Sequence, residues 1–467
     1  MYAYRPFELV NLHSVLGLIL AIVFAPSMSA QTCVDGAACN PSSLNKIVFV
    51  DGIHYPATEN GLQSAISDAM SSGNQEVRIT QAITLTGTLT INPSGSNTPG
   101  QVLDIVLEPG VTLTCAMASG DCIDTAGPAT IRGEANGFGT TQRPAILLAS
   151  GASVMNVLGI PSGISGQGPT LSLRNLYFDI HLGAVSGSVV DVCGQDNGGN
   201  VADVSILGGA SGTYSLLTID SKCNSVNVSN GAGRVENSWL NCNNVVGCTP
   251  LTIPTSNNAS TYEWDFIDDH FEFSGAGRNS IAIGVGSGNV APLSVSFLNC
   301  SAETYSVSPP ILINGASNIG IYNFTFYEHS STATTTPIVS VTNTNALNFT
   351  NITISNLNGG GGSGNVIFQG INNSVSGKII ATGTFGVNVP LYVYTNSAWN
   401  LAFQPYFDGG AGFTSLSIDG TLSSALANLN RPNGSIAYCS DCMWANPCKG
   451  GGSGALAKKL GGVWVCN

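Results

Sequence analysis

Short β-branched or aromatic runs recur along most of the chain, each bounded by Gly, Asn or Ser, as in Leu171-Ser172-Leu173, Val189-Val190-Asp191-Val192 and Leu216-Leu217-Thr218-Ile219. This is the pattern of short strands separated by tight turns. After Pro310 three stretches can be laid over one another, Ile311 to Phe326, Ile338 to Ile354 and Val366 to Ile380. Their offset of about 28 residues falls in the range of stacked repeats. In this register Ile319, Leu347 and Val375 correspond, as do Phe324, Ile352 and Ile380. A second marker is Asn before strand-forming residues: Asn175-Leu176-Tyr177-Phe178, Asn237-Ser238-Trp239-Leu240, Asn323-Phe324-Thr325-Phe326 and Asn351-Ile352-Thr353-Ile354. Asn tolerates left-handed backbone, and its amides can stack in ladders, so these residues are expected at bends between strands.

No single coil could bury its own inner face. Coils stacked at a strand spacing of about 4.8 Å share one core and satisfy each other's backbone groups. Roughly ten to thirteen of them fit between residues 75 and 410. Tandem β-sandwiches also contain many short strands, but they need longer alternating strands and would show no such register. The ends of a coil stack expose strand edges, so a cap is expected. Leu62, Ala65, Ile66, Ala69 and Met70 make one apolar stripe on a short helix begun by Thr58. The expected organisation is a leader at 1–30, an N-terminal segment with capping helix at 31–74, a parallel β-helix at 75–410, and a linker with a cysteine-bearing module at 411–467.

The run Ile47-Val48-Phe49-Val50-Asp51-Gly52, then Tyr55-Pro56 and Gly61-Leu62-Gln63-Ser64-Ala65-Ile66, resembles the capping start of pectate lyase superfamily proteins. The resemblance implies an all-β fold, a right-handed parallel β-helix of the pectin lyase-like kind, and an extracellular polysaccharide as partner. From Asn433 onward, Cys439, Cys442, Cys448 and Cys466 stand among Gly-rich turns. This segment is similar to a terminal module of secreted bacterial β-helix proteins and, more loosely, of phage fibres, which implies display or assembly. Its four cysteines fit either a tetrahedral zinc site or two disulfides, and export favours the disulfides.

Composition agrees with a glycine-punctuated repeat: 57 Gly, 9% charged residues and a mean hydropathy of +0.22. Arg5, the apolar stretch Val15 to Ala25 and the small residues Ser27-Met28-Ser29-Ala30 read as an export signal. No later apolar run is long enough to span a bilayer, so a secreted protein without membrane insertion is expected. A net charge of −13 argues against nucleic acid as a partner. It also disfavours a direct electrostatic grip on an acidic polysaccharide, which would need a bridging cation. Thirteen cysteines in an exported chain point to disulfides. Cys33/Cys39, Cys115/Cys122 and Cys242/Cys248 are close enough to pin short loops. Cys193 and Cys223 lie about one repeat apart, and the odd count leaves one thiol free, assigned to Cys300.

The densest acidic cluster is Glu263, Asp265, Asp268, Asp269 and Glu272, with His270 among them and Arg278 beyond. Strand alternation would turn Trp264, Phe266, Phe271 and Phe273 inward and leave Glu263, Asp265, His270 and Glu272 outward, with Asp268-Asp269 at the bend. Outward carboxylates can serve as general acid and base on a glycosidic bond or hold Ca²⁺; a solvated turn has the same composition. Of the polygalacturonase motifs only Asp268-Asp269 is present: Gly275-Ala276-Gly277 lacks the His, and neither Asn-x-Asp nor Arg-x-Lys occurs. Likeness to the pectate lyases implies Asp265, Asp268 and Asp269 as Ca²⁺ ligands and Arg278 as base, with Arg174 and Arg234 as alternatives. The catalytic candidates are thus Asp268, Asp269, His270 and Arg278.

His54, His181 and His329 stand alone and read as packing or surface residues. Tyr392, Tyr394, Trp399, Phe403, Tyr406 and Phe407 suit either sugar stacking or a C-terminal cap. Asn258 and Asn348 lie in glycosylation sequons. Two function classes follow: a polysaccharide-active enzyme, lyase or hydrolase, or a noncatalytic adhesin or fibre.

Overall fold

The computed structural model describes residues 47–72, 76–91, 102–125, 128–134, 143–159, 171–193, 199–223, 226–227, 229–257, 259–274, 278–304, 310–328, 337–342 and 344–356, the backbone of short strands between 366 and 421, residue 433, and 436–467. The leader, Cys33, Cys39, His329, Trp399 and Asn258 lie outside them, as do the side chains of Phe273, Tyr392, Tyr394, Phe403, Tyr406 and Phe407.

The chain is an all-β solenoid of stacked parallel sheets. A representative coil runs through Thr261–Ile267 in a first sheet, His270–Ser274 in a second and Ile281–Val285 in a third. Each strand pairs in parallel with its counterpart one coil away, for example Arg234 with Asp265 and Asp265 with Ser296. The third sheet alone is 11-stranded. Inner faces of all three converge on one apolar core that includes Trp264, Phe266, Phe271 and Phe297, all 0% exposed. Phe266 stacks on Phe297 with ring centroids 4.8 Å apart, and Phe271 meets Phe297 edge to face. The expected inward turn of Trp264, Phe266 and Phe271 is therefore what the fold shows.

In six successive coils the first and second sheets are joined by a single left-handed residue. Asn175, Asp203, Asn237, Asp268, Asn299 and Asn323 all have φ between 50° and 57°, and Asn323 Nδ2 donates to Asn299 Oδ1 at 3.1 Å. Asn351 instead falls where a long strand, Asn345–Asn356, shifts register between Thr350 and Ile352. That shift pairs Ile352 with Ile379, one residue before the expected Ile380, while Ile319, Leu347 and Val375 align as expected. Ile311 likewise pairs with Val339, one residue on from the expected Ile338.

The helix spans Glu59–Ser71, and Thr58 caps it by accepting from the Gly61 N–H at 3.1 Å. Its buried stripe, Leu62, Ala65, Ile66 and Ala69, lies on the first coil. Gln63 covers a sheet edge directly: its amide donates to Thr90 O at 2.9 Å and accepts from Thr90 N at 3.0 Å, standing in for a missing strand. The first sheet already begins at Ile47–Val50, ahead of the helix, pairing with Glu76–Ile79.

Disulfides Cys115–Cys122 and Cys242–Cys248 pin turns, Cys193 is also bonded, and Cys300 is free and buried. In the C-terminal module, Cys439–Cys442 and Cys448–Cys466 brace a small antiparallel sheet. Among the described residues no helix is long and apolar enough to cross a membrane.

Candidate functional site

The outer flank of the first sheet carries a notch. In four successive coils one residue within the strand is left-handed: Ala232, Glu263, Ser294 and Asn318, with φ of 54° or 55°. Left-handed backbone costs a residue with a Cβ roughly 1–2 kcal/mol, and such residues cluster where surrounding structure holds them for function. All four line a cavity of about 640 Å³ together with Arg234, Asp265, Ser296, Gly320 and Tyr322. The notch forms where the pleat is broken at the same level in these four coils.

Charge in the notch is only partly compensated. Arg234 is 52% exposed, and its guanidinium lies 3.6 Å from Glu236. Asp265 accepts a hydrogen bond from the Ser296 hydroxyl. Asn318 Nδ2 donates to Ser294 Oγ at 2.9 Å, and Tyr322 Oη accepts from Asn348 Nδ2 at 3.4 Å. The arrangement offers a guanidinium, two exposed carboxylates, hydroxyls and an aromatic ring along one open face. That set can bind hydroxylated polymers, and an arginine beside a carboxylate can also act as a base–electrophile pair.

The sequence-derived candidates divide between faces. Asp265 is in the notch with Glu263. Asp268 is one of the bend residues, φ 57°, and exposed. Asp269 points inward, 1% exposed, with Oδ1 accepting from the Ser238 N–H at 2.8 Å; burial pushes its carboxyl well up. Of the expected calcium trio, Asp265 and Asp268 are exposed and Asp269 is buried.

Around the corner, on the second sheet, His270 makes a separate cluster. Its Nδ1 is 2.6 Å from Ser301 Oγ, its Nε2 lies 3.6 Å from Glu272 and 3.4 Å from Glu303, and Trp239 Nε1 donates to Glu272 at 2.5 Å. Arg278 sits before the third-sheet strand, donates to Thr213 at 3.4 Å and does not line the notch. Arg174 bonds Ser172 at 3.2 Å, outside the notch. His54 pairs with Asp51 at 2.7 Å and His181 with Asp179, both at the surface.

Sequence reasoning missed Tyr322, Ser294, Ser296 and Asn318 in the notch, and Glu303 beside His270. It also missed two enclosed carboxylates on the third sheet, Asp124 and Asp191. Burial, with the neighbouring Asp121, pushes Asp124 up to about 7. Asp191 is raised by burial and by Asp220 and Asp121. One oxygen of each, Asp124 Oδ1 and Asp191 Oδ1, is enclosed without a hydrogen-bond partner. Asp124 and Asp191 stand two coils apart, on either side of the coil that carries Gly159, so no repeat of Asp at one coil length signalled them.

Among the described residues, groups of three potential metal ligands with atoms within 4.8 Å of one another occur in the C-terminal module, at Cys442/Cys448/Cys466 and Cys439/Asp441/Cys442. Their sulfurs are tied up in disulfides, so the zinc alternative has no thiolates to use.

No protein-family model matches the chain, and no curated protein is similar to it. Among solved structures, it is similar to the mannuronan C-5 epimerase AlgE6 A-module of Azotobacter vinelandii, at 11% identity and a TM-score of 0.43, covering 75% of this chain and 98% of that one. It is also similar to the catalytic domain of a GH87 α-1,3-glucanase, at 11% identity and a TM-score of 0.40, covering 82% and 71%. A third similarity is to PfbA, a surface adhesin of Streptococcus pneumoniae, at 12% identity and a TM-score of 0.34, covering 89% and 97%. Scaffolds this loosely superposable carry an epimerase, a glucanase and an adhesin alike, which leaves function to be argued from the residues.

Proposed function

We propose that this protein works outside the cell and binds a polysaccharide across the outer flank of its coils at Arg234, Asp265 and Ser296. The observation that carries the reading is the notch: four stacked left-handed residues open a cavity of about 640 Å³ among exposed charged groups. A solenoid flank suits an extended chain, since each coil repeats the binding surface along the axis. The described disulfides are consistent with an extracellular location, and export by the N-terminal leader belongs to the proposal.

Bond cleavage is the finer part of it. A cleavage step would use Arg234 and Asp265, adjacent in register, as a hydrolase does. The test is a glycan array on the full chain, followed by binding and product-release assays on wild type, Asp265→Ala and Arg234→Ala. Binding by wild type and its loss in both variants is expected; a wild type that binds no glycan overturns the proposal. Chelating calcium should leave binding intact, because Asp269 is buried and its Oδ1 is already engaged by the Ser238 N–H. Binding without product would favour the second reading, a noncatalytic adhesin. The exposed Trp444, Ile436, Leu456 and Leu460 of the terminal module speak for that reading, as surfaces for attachment or assembly.

A further inference from the structure

Gly320 occupies an outward position on the notched flank, paired with Ser296 in the neighbouring strand, yet it is buried. The cover is the ring of Tyr322, two residues along on the same face. A Cβ built at Gly320 would meet Tyr322 Cε2 at 2.4 Å, with Cζ and Oη at 2.7 Å. Absence of that one carbon lets the ring lie down against the sheet, and the Asn348 amide holds its hydroxyl end at 3.4 Å. The ring lines the cavity together with Asp265 and Arg234. By ladder position Gly320 stands two strands from Asp265, about 10 Å at the usual strand spacing.

We infer that Tyr322, laid flat by Gly320, is the stacking platform for one ring of an uncharged hexopyranose polysaccharide, whose hydroxyls reach Asp265. This deepens the proposed function and rests on it. The apolar face of a pyranose matches a flat aromatic face, and a tyrosine supplies large contact area at small entropic cost. Carboxylates accept hydroxyl hydrogen bonds well, whereas a polyuronate would bring its own negative charges to a cavity holding Glu263 and Asp265 against one arginine. The chain as a whole, at −13, repels a polyanion further. Gly320 is therefore a positioning residue: it acts on the ligand only through the attitude of the Tyr322 ring.

The experiment is calorimetric titration of the full chain with neutral gluco-, galacto- and manno-oligosaccharides and with an oligogalacturonate. Neutral ligands should bind and the oligogalacturonate should not. Tyr322→Ala should weaken binding about tenfold, the scale of a buried aromatic anchor, and Tyr322→Phe should stay within about twofold because the ring is kept. Gly320→Ala should lift the ring and reproduce the Tyr322→Ala loss with an unchanged thermal midpoint, since the displaced group is the free end of a side chain. If Asp265→Ala loses the glycan while the Tyr322→Ala and Gly320→Ala proteins bind like wild type, the platform is overturned and the proposed function stands. Preferential binding of oligogalacturonate overturns the uncharged ligand class, and no binding of any sugar by wild type overturns both.

Discussion

One outward column of the first sheet passes through Glu76, Asp104, Thr130, Ser172, Asn200, Arg234, Asp265, Ser296 and Gly320, in unbroken register. Near its start the carboxylates are answered on site. Arg132 lies 2.9 Å from Asp104, 3.4 Å from Glu134 and 3.8 Å from Glu76, and Arg78 lies 2.8 Å from both Glu76 and Glu134. Burial pushes the Asp104 carboxyl up while Arg132 pulls it down. Farther along, among the described residues, Arg234 pairs with Glu236 at 3.6 Å and Asp265 with a serine hydroxyl. The same backbone ladder thus carries a closed ion network at one end and loosely partnered charges around a strained notch at the other. A network consumes its own hydrogen-bonding capacity in holding the coils together; unspent capacity beside a cavity is what a ligand can use.

The largest expected effect comes from the floor of the notch. Trp264 is fully buried, its Nε1 donates to Asn230 at 3.1 Å, and Gly233 lacks a Cβ where the indole packs. Trp264→Ala should cost about 3–5 kcal/mol in urea unfolding, the usual range for deleting a core aromatic. A smaller loss would mean that the notch is not built on the core. Next, Arg132→Ala should lower stability by about 1–2 kcal/mol, because it strips partners from partly buried carboxylates, and should leave glycan binding unchanged. Asp265→Asn should do the reverse, with a stability change within about 0.5 kcal/mol and clear loss of binding. Equal behaviour of the two variants would erase the distinction between the regions.

A pH test probes a third face. Asp124 binds its proton more tightly when folded, up to about 7 against an ordinary 3.8. The native state therefore holds more protons than the unfolded chain between those values, and stability falls as pH rises through that window. The thermal midpoint of Asp124→Asn should pull ahead of wild type from about pH 4 to about pH 7; a constant gap would place Asp124 in ordinary solvent. The smallest effect belongs to strain. Ala232→Gly should stabilise by about 0.5–1 kcal/mol by relieving a left-handed alanine, and no gain would mean that the notch backbone is relaxed.

What could be read from the residues alone was local. The stripe Leu62, Ala65, Ile66 and Ala69, the left-handed bends at Asn175, Asn237 and Asn323, the inward turn of Trp264, Phe266 and Phe271, and the pairs Cys115–Cys122 and Cys242–Cys248 all follow from chemistry acting over a few residues. The outward turn of Glu263 and Asp265 follows from the same alternation.

Everything that depends on which residue lies above which was decided by the coils themselves. Stacked partners are 24 residues apart at Asn299 and Asn323 but 42 apart at Gly133 and Asn175, so no fixed period can place Tyr322 in one cavity with Asp265 or Glu303 beside His270. The nearness of Asp268, Asp269 and Arg278 in sequence likewise said nothing of their directions, because a left-handed bend separates an outward residue from an inward one in a single step. Composition and alternation determined that the chain must wind and hide an apolar interior. Loop lengths, which carry little hydrophobic signal, set the register that assembled the notch.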